Sequence, residues 1–193
     1  MKHSLVDRLL ASRNPFVRKG ASVLLRNGAE LAVKSYPGIF GVAAPVLVNS
    51  IPKSGTHLLT QVVSALPSVQ QRGRFLASTP SISVFQRSPE RLAREITRLT
   101  PGEMVPAHLH HSPDIEQALA ARRVMHCFIY RDPRDIVISE AHYLTHMNRW
   151  HRLHKLFVAA GSFEDRVALA ITGATDSRGV KYPDIGSRIR QYL

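Results

Sequence analysis

The chain has 193 residues, and its apolar fraction of 44% suits one domain with a substantial core and excludes a disordered chain. Its net charge of +12 directs it toward anionic partners, whether a phosphorylated cofactor, nucleic acid or an acidic membrane surface. A lone cysteine, Cys127, excludes an internal disulfide, and no apolar run nears the ~20 residues of a membrane-spanning helix.

Residues 1–44 form a basic helical segment and connector. Lys2, Arg8, Arg13, Arg18, Lys19, Arg26 and Lys34 face only Asp7 and Glu30. Leu5, Leu9 and Leu10, then Val23, Leu24, Leu31 and Val33, predict two helical pieces broken at Asn14–Pro15. A helix packed on the domain with a solvated basic face is the first reading. Peripheral contact of residues 1–36 with an anionic membrane, or a targeting role, is the second.

The apolar run 45–48 predicts a short buried strand, and Leu58, Leu59, Val62, Val63 and Leu66 predict the apolar face of a helix. Between them lies Pro52-Lys53-Ser54-Gly55-Thr56. Strand, compact loop and helix is the geometry in which helix N-terminal N–H groups collect a phosphate or sulfate. Gly55 permits close approach of the main chain, Ser54 and Thr56 offer hydroxyls, and Lys53 adds a charge. The loop departs from G-x-x-x-x-G-K-[ST], because its lysine precedes the glycine and there is no first glycine.

Residues 67–87 read as loop, with Arg72, Arg74 and Arg87 placed to meet substrate. Ser88-Pro89 opens a helix carrying Leu92, Ile96 and Leu99, which Pro101-Gly102 ends. Residues 104–109 predict a second short strand with His108 at its end. Ser112-Pro113 opens another helix, through Leu119. The run 124–130 predicts a strand buried on both faces.

Asp132-Pro133 then starts a helix bearing Ile136, Val137, Leu144 and Met147. Residues 148–162 are polar and basic around Trp150. Ser162 and Asp165 have capping spacing for a helix to Thr172. Residues 173–183 read as loop, and 184–193 as a helix striped by Ile185, Ile189 and Leu193. The alternation predicts an α/β fold, a three-layer sandwich about a central parallel sheet. Two firm strands and a weaker third make that sheet thin, so residues 45–193 are expected to be a partial domain, incomplete at the C-terminus.

Ligands of such sheets sit outside the carboxyl ends of the strands. The Lys53 loop, His108 and Arg131-Asp132-Pro133-Arg134-Asp135 with Ser139 all fall there. Arg131 offers a bidentate phosphate partner and Ser139 a hydroxyl. Blander readings exist: His108 clusters with His110 and His111, and Arg131 and Arg134 can merely flank a helix in ion pairs. His142 and His146 lie four apart, but no H-E-x-x-H, cysteine pair or third ligand accompanies them, so no metal is expected.

These pieces together resemble the sulfotransferases that use 3′-phosphoadenylyl sulfate (PAPS), whose fold is of the P-loop nucleotide-hydrolase type. Ile51-Pro52-Lys53-Ser54-Gly55-Thr56 is similar to their 5′-phosphosulfate loop, and Tyr130-Arg131-Asp132-Pro133-Arg134-Asp135 through Ser139 to their 3′-phosphate motif. Ala107-His108-Leu109 is similar to the step carrying the catalytic base. The resemblance implies that Lys53, Ser54, Gly55, Thr56 and His57, with Arg131 and Ser139, bind the donor. It implies that Lys53 stabilises the leaving group, that His108 is the general base and that no metal takes part.

The implied acceptor is a hydroxyl or amine of a small molecule or glycan, and the implied setting is cytoplasmic, at most membrane-peripheral. Leu58 stands where many members have tryptophan, and His57 where they have Thr or Asn. The family's C-terminal glycine-rich motif has no counterpart before Leu193. The alternatives are a catalytically inactive nucleotide-binding fragment of the same fold, a kinase, or a basic nucleic-acid-binding protein. With 7% aromatic residues not interleaved with the basic ones, no nucleic-acid partner is expected.

Overall fold

The structure, a computed structural model, describes residues 9, 17, 20–25, 27, 28, 31, 43–81, 85–176 and 179–193. The described positions from 9 to 31 are helical, and the expected break at Asn14–Pro15 lies outside the described residues. In chain order the elements are β1 (Val46–Ser50), α1 (Thr56–Ser64), β2 (Gln70–Gln71), β3 (Leu76–Ala77), α2 (Pro89–Thr97), β4 (Glu103–His108), α3 (Pro113–Ala121) and β5 (Met125–Ile129). There follow α4 (Pro133–His142), which runs into a π-helical turn (Tyr143–Met147), then α5 (His154–Ala159), α6 (Phe163–Thr172), the hairpin β6 (Ala174–Thr175) and β7 (Lys181–Tyr182), and α7 (Ile185–Arg190).

The main sheet runs β2-β4-β1-β5, with β3 also on β4, and every pairing is parallel. One face is covered by α2 and α3, whose Leu92, Ile96, Ile115 and Ala118 pack with Leu47, Val105 and Ala107. The other meets α1, where Val63 packs with Val46, Val48 and Met104. This is the three-layer α/β sandwich with a parallel sheet that the alternation predicts. Beside it, Val137, Ala141, Leu144, Phe157, Ala170 and Tyr182 join α4, α5, α6 and the hairpin in a separate apolar cluster. Among the described residues no helix is long and apolar enough to cross a membrane.

The expected caps form. Ser88, Ser112 and Asp132 each accept a first-turn N–H, and Ser162 with Asp165 makes a reciprocal capping box; Asp184 caps α7 in the same way, a device not anticipated. Elsewhere the structure corrects the reading. The α1 stripe splits: the Leu59–Val63 ridge meets the sheet, while Leu58 and Val62 are more than 60% exposed. β5 is an edge strand with Met125 and Phe128 exposed, so it is not buried on both faces.

The stretch 67–87 is not all loop. Its β2 and β3 pair with opposite ends of β4 and leave a gap opposite Val105 and Pro106. Proline has no N–H for a ladder, and two-residue strands are too short to show a period. Arg72 and Arg74 are buried rather than presented to a ligand-binding surface. Arg74 Nε donates to Glu103 at 3.0 Å, with both side chains at most 3% exposed. Arg72 donates to Thr100. The polar stretch 148–162 contains α5, anchored by buried Phe157, and 173–183 contains the β6–β7 hairpin.

Candidate active site

At the carboxyl end of β1 the chain turns back sharply, with the Ser54 N–H donating to the Ile51 carbonyl at 3.1 Å. Lys53 sits at φ +70° and Gly55 at φ +106°, both left-handed. For a side-chain-bearing residue such as lysine that conformation costs roughly 1–2 kcal/mol and persists where the surroundings enforce it. A Cβ on Gly55 would also crowd Ile129 Cδ1 at 3.3 Å. Helix α1 begins immediately after, and no side chain caps it. The Ser54 hydroxyl is buried with no partner among the described residues. Unclaimed first-turn N–H groups beside an orphan hydroxyl form a cradle for an oxyanion.

His108 ends β4. Its Nδ1 lies 2.9 Å from the Ser50 carbonyl oxygen, which can only accept, so Nδ1 carries the proton and Nε2 is bare. The Ser50 hydroxyl is 3.2 Å from the same Nδ1 and 2.6 Å from the Thr56 hydroxyl, which links the base position to the anion loop. Burial holds the imidazole below the usual histidine range. The Ser50 carbonyl opposes this in part, and the charges of His57 and Lys53 add to it. A neutral imidazole with a free Nε2 can accept a proton.

The strand end is fixed by Asn49. Its Oδ1 accepts from the Leu109 N–H at 2.8 Å and its Nδ2 donates to the Leu109 carbonyl at 3.1 Å. This buried amide continues the β1–β4 pairing by one residue and so orients His108.

Arg131 follows β5. Its Nε donates to Asp135 at 3.0 Å, and its terminal nitrogens have no partner among the described residues. Arg134 pairs instead with Asp132, whose carboxyl it holds down at about 2. A single cavity of about 630 Å³ is lined by Lys53, Gly55, Thr56, His57, His108, Arg131 and Ser139. Ser54 lies beneath the loop, and Leu58, at the position where tryptophan is common, points outward. The His142 and His146 rings lie tilted with centroids 6.2 Å apart, and no third metal-ligating residue joins them among the described residues.

The sequence pattern of the sulfotransferase domain matches residues 44–175. The chain belongs to the sulfotransferase domain family. Among solved structures it is similar to mouse sulfotransferase SULT7A1 complexed with PAP. That match has 19% identity and a TM-score of 0.45, covering 68% of this chain and 42% of that one. The chain thus spans less than half the length of that protein. No curated protein sequence matches.

Several residues of this sulfotransferase-family cavity escape a reading of the sequence. Glu140 and Tyr143 line it from α4 and the π-turn, and Tyr182, Arg188 and Tyr192 from the C-terminal elements. Glu140 follows Ser139 directly, so its proximity was legible. Tyr143 lies one turn further on, whereas Tyr182, Arg188 and Tyr192 are separated from the motifs by more than forty residues of chain with no periodic signal pointing to the cavity.

Proposed function

We propose that this domain binds PAPS and transfers its sulfuryl group to a hydroxyl or amine of a small-molecule or glycan acceptor. Residues 45–193 carry the site, and residues 1–44 precede it as a separate basic segment. The observation that carries this reading is the convergence of Lys53, Thr56, His108, Arg131 and Ser139 on one cavity.

The residues present fit such a ligand. The orphan Ser54 hydroxyl, the uncapped start of α1 and the side-chain-free Gly55 make a donor-rich cradle at one end, and Arg131 with Ser139 offers donors at the other. When bound, the donor supplies a sulfuryl group already attached to a phosphate leaving group. Lys53 and Thr56, with the loop N–H groups, neutralise charge that develops on the departing oxygen. One preorganised donor of this kind is worth about 10²–10³ in rate. His108 Nε2 takes the acceptor proton, and Nδ1 stays pinned by the Ser50 carbonyl. Arg131 and Ser139 hold the 3′-phosphate and fix the register.

Thermal unfolding tests this directly. At a hundredfold excess over Kd, 3′,5′-bisphosphoadenosine is expected to raise Tm by about 5–10 °C. Lys53→Ala and Arg131→Ala should each abolish most of that shift. A shift from magnesium ATP with none from bisphosphoadenosine would replace the sulfotransferase reading with a kinase.

A further inference from the structure

The Lys53 ammonium rests on an aromatic ring away from the loop that carries it. Its Nζ lies 3.9 Å from the centroid of the Tyr143 ring, within cation–π range. Glu140, one turn earlier on α4, lines the same cavity as the only acid among its described lining residues, and its charge favours the ammonium. The Glu140 carboxylate accepts from Arg188 Nη1 at 2.5 Å, and the pair is largely buried. Arg188 also donates to the Ala170 carbonyl at 2.6 Å and stacks 4.5 Å from the Tyr182 ring centroid.

Tyr143 opens the π-helical turn, a geometry that is rare and concentrated at functional sites. Its hydroxyl accepts from Asn148 Nδ2 at 2.8 Å and its carbonyl from the Asn148 N–H at 3.1 Å, so the ring is tethered at both ends. A lysine stem is flexible, and a tethered ring face beneath the ammonium restricts it.

We propose that Tyr143 and Glu140 form the seat of the Lys53 ammonium, that Arg188 fixes this seat to α7, and that all three are positioning residues for the lysine. The proposal rests on Lys53 being the group that stabilises the departing oxygen. The ring face and the carboxylate favour the ammonium over the amine. Burial works against the charge and Glu140 offsets it in part. Arg188 competes for the same carboxylate, so it sets how much of that charge reaches Lys53. His151 meets the Tyr143 ring edge-on with centroids 6.5 Å apart, and the other titratable or charged groups lining the cavity are His57, His108, His110, Arg131, Arg152, Lys181, Tyr182 and Tyr192.

Trace acetylation across pH 7–11, read at Lys53 by peptide mass spectrometry, reports how readily the ammonium loses its proton. Relative to the unsubstituted chain, Tyr143→Leu and Glu140→Gln are expected to raise Lys53 labelling at pH 8 roughly three- to tenfold. Tyr143→Phe keeps the ring and should leave the curve in place. Arg188→Met should move it the opposite way, because Glu140 then acts on Lys53 alone.

A merely structural role would not give opposite signs at Glu140 and Arg188, nor separate Phe from Leu. Unchanged Lys53 curves in Glu140→Gln and Tyr143→Leu would overturn the proposal. Should Tyr143→Leu fail to fold, the isosteric Glu140→Gln decides alone. No nucleotide enters this experiment, so its failure leaves the donor-binding test standing, and the reverse holds too.

Discussion

His108 shows what a single residue owes to its neighbours. Its place after Ala107 and before Leu109 was legible in the sequence, but its tautomer depends on a carbonyl 58 residues earlier. Burial and the charges around it favour the neutral ring at neutral pH. In the proposed reaction His108 acts unprotonated, so activity should rise with pH through a value below 6.5. In the same proposal Lys53 acts protonated, and burial lowers its pKa, so activity should fall again at a pH below 10.5. The kcat/KM profile is expected to be a bell with those two limbs. His108→Ala should cost about 10²–10⁴ in kcat and erase the acid limb. An acid limb that survives in His108→Ala would assign the base elsewhere.

At the scale of elements, the helices were legible and the sheet was only partly so. Ser-Pro and Asp-Pro pairs announce α2, α3 and α4 because a capping side chain and a fixed proline φ are local devices. β2 and β3 have no local device; they exist because β4 offers them an edge on either side of Pro106. The burial of Arg74 against Glu103 was equally hidden, since nothing near Arg74 in sequence marks its partner. Asn49 is the junction that matters most to the site. Asn49→Leu would strand the Leu109 N–H and C=O in a buried position. It should cost about 2–4 kcal/mol, read as a fall in the denaturant midpoint at constant m. It should also lower activity by loosening His108. A variant as stable as the parent would show that the strand pairing alone holds β4 in register.

Across the whole molecule, the charge of +12 is partly gathered at the site. Lys53, Arg131, Arg152, Lys181 and Arg188 line the cavity, and Glu140 is the sole acid among its described lining residues. Such a wall attracts a polyanion and makes capture sensitive to salt. The convergence of motifs some eighty residues apart was legible because parallel strands deliver their carboxyl ends to one edge. The closure of the cavity by the β6–β7 hairpin and α7 was not, because two-residue strands and a six-residue helix carry too little pattern to place them.

The central claim is that the Lys53 loop and the Arg131–Ser139 pair hold the two ends of one nucleotide. Calorimetric titration with 3′,5′-bisphosphoadenosine and with adenosine 5′-phosphate tests it most directly. The bisphosphate should bind roughly 10- to 100-fold more tightly. Arg131→Ala should remove that preference, while Lys53→Ala weakens both ligands. Equal affinity for the two nucleotides, or a preference that Arg131→Ala leaves intact, would contradict the account.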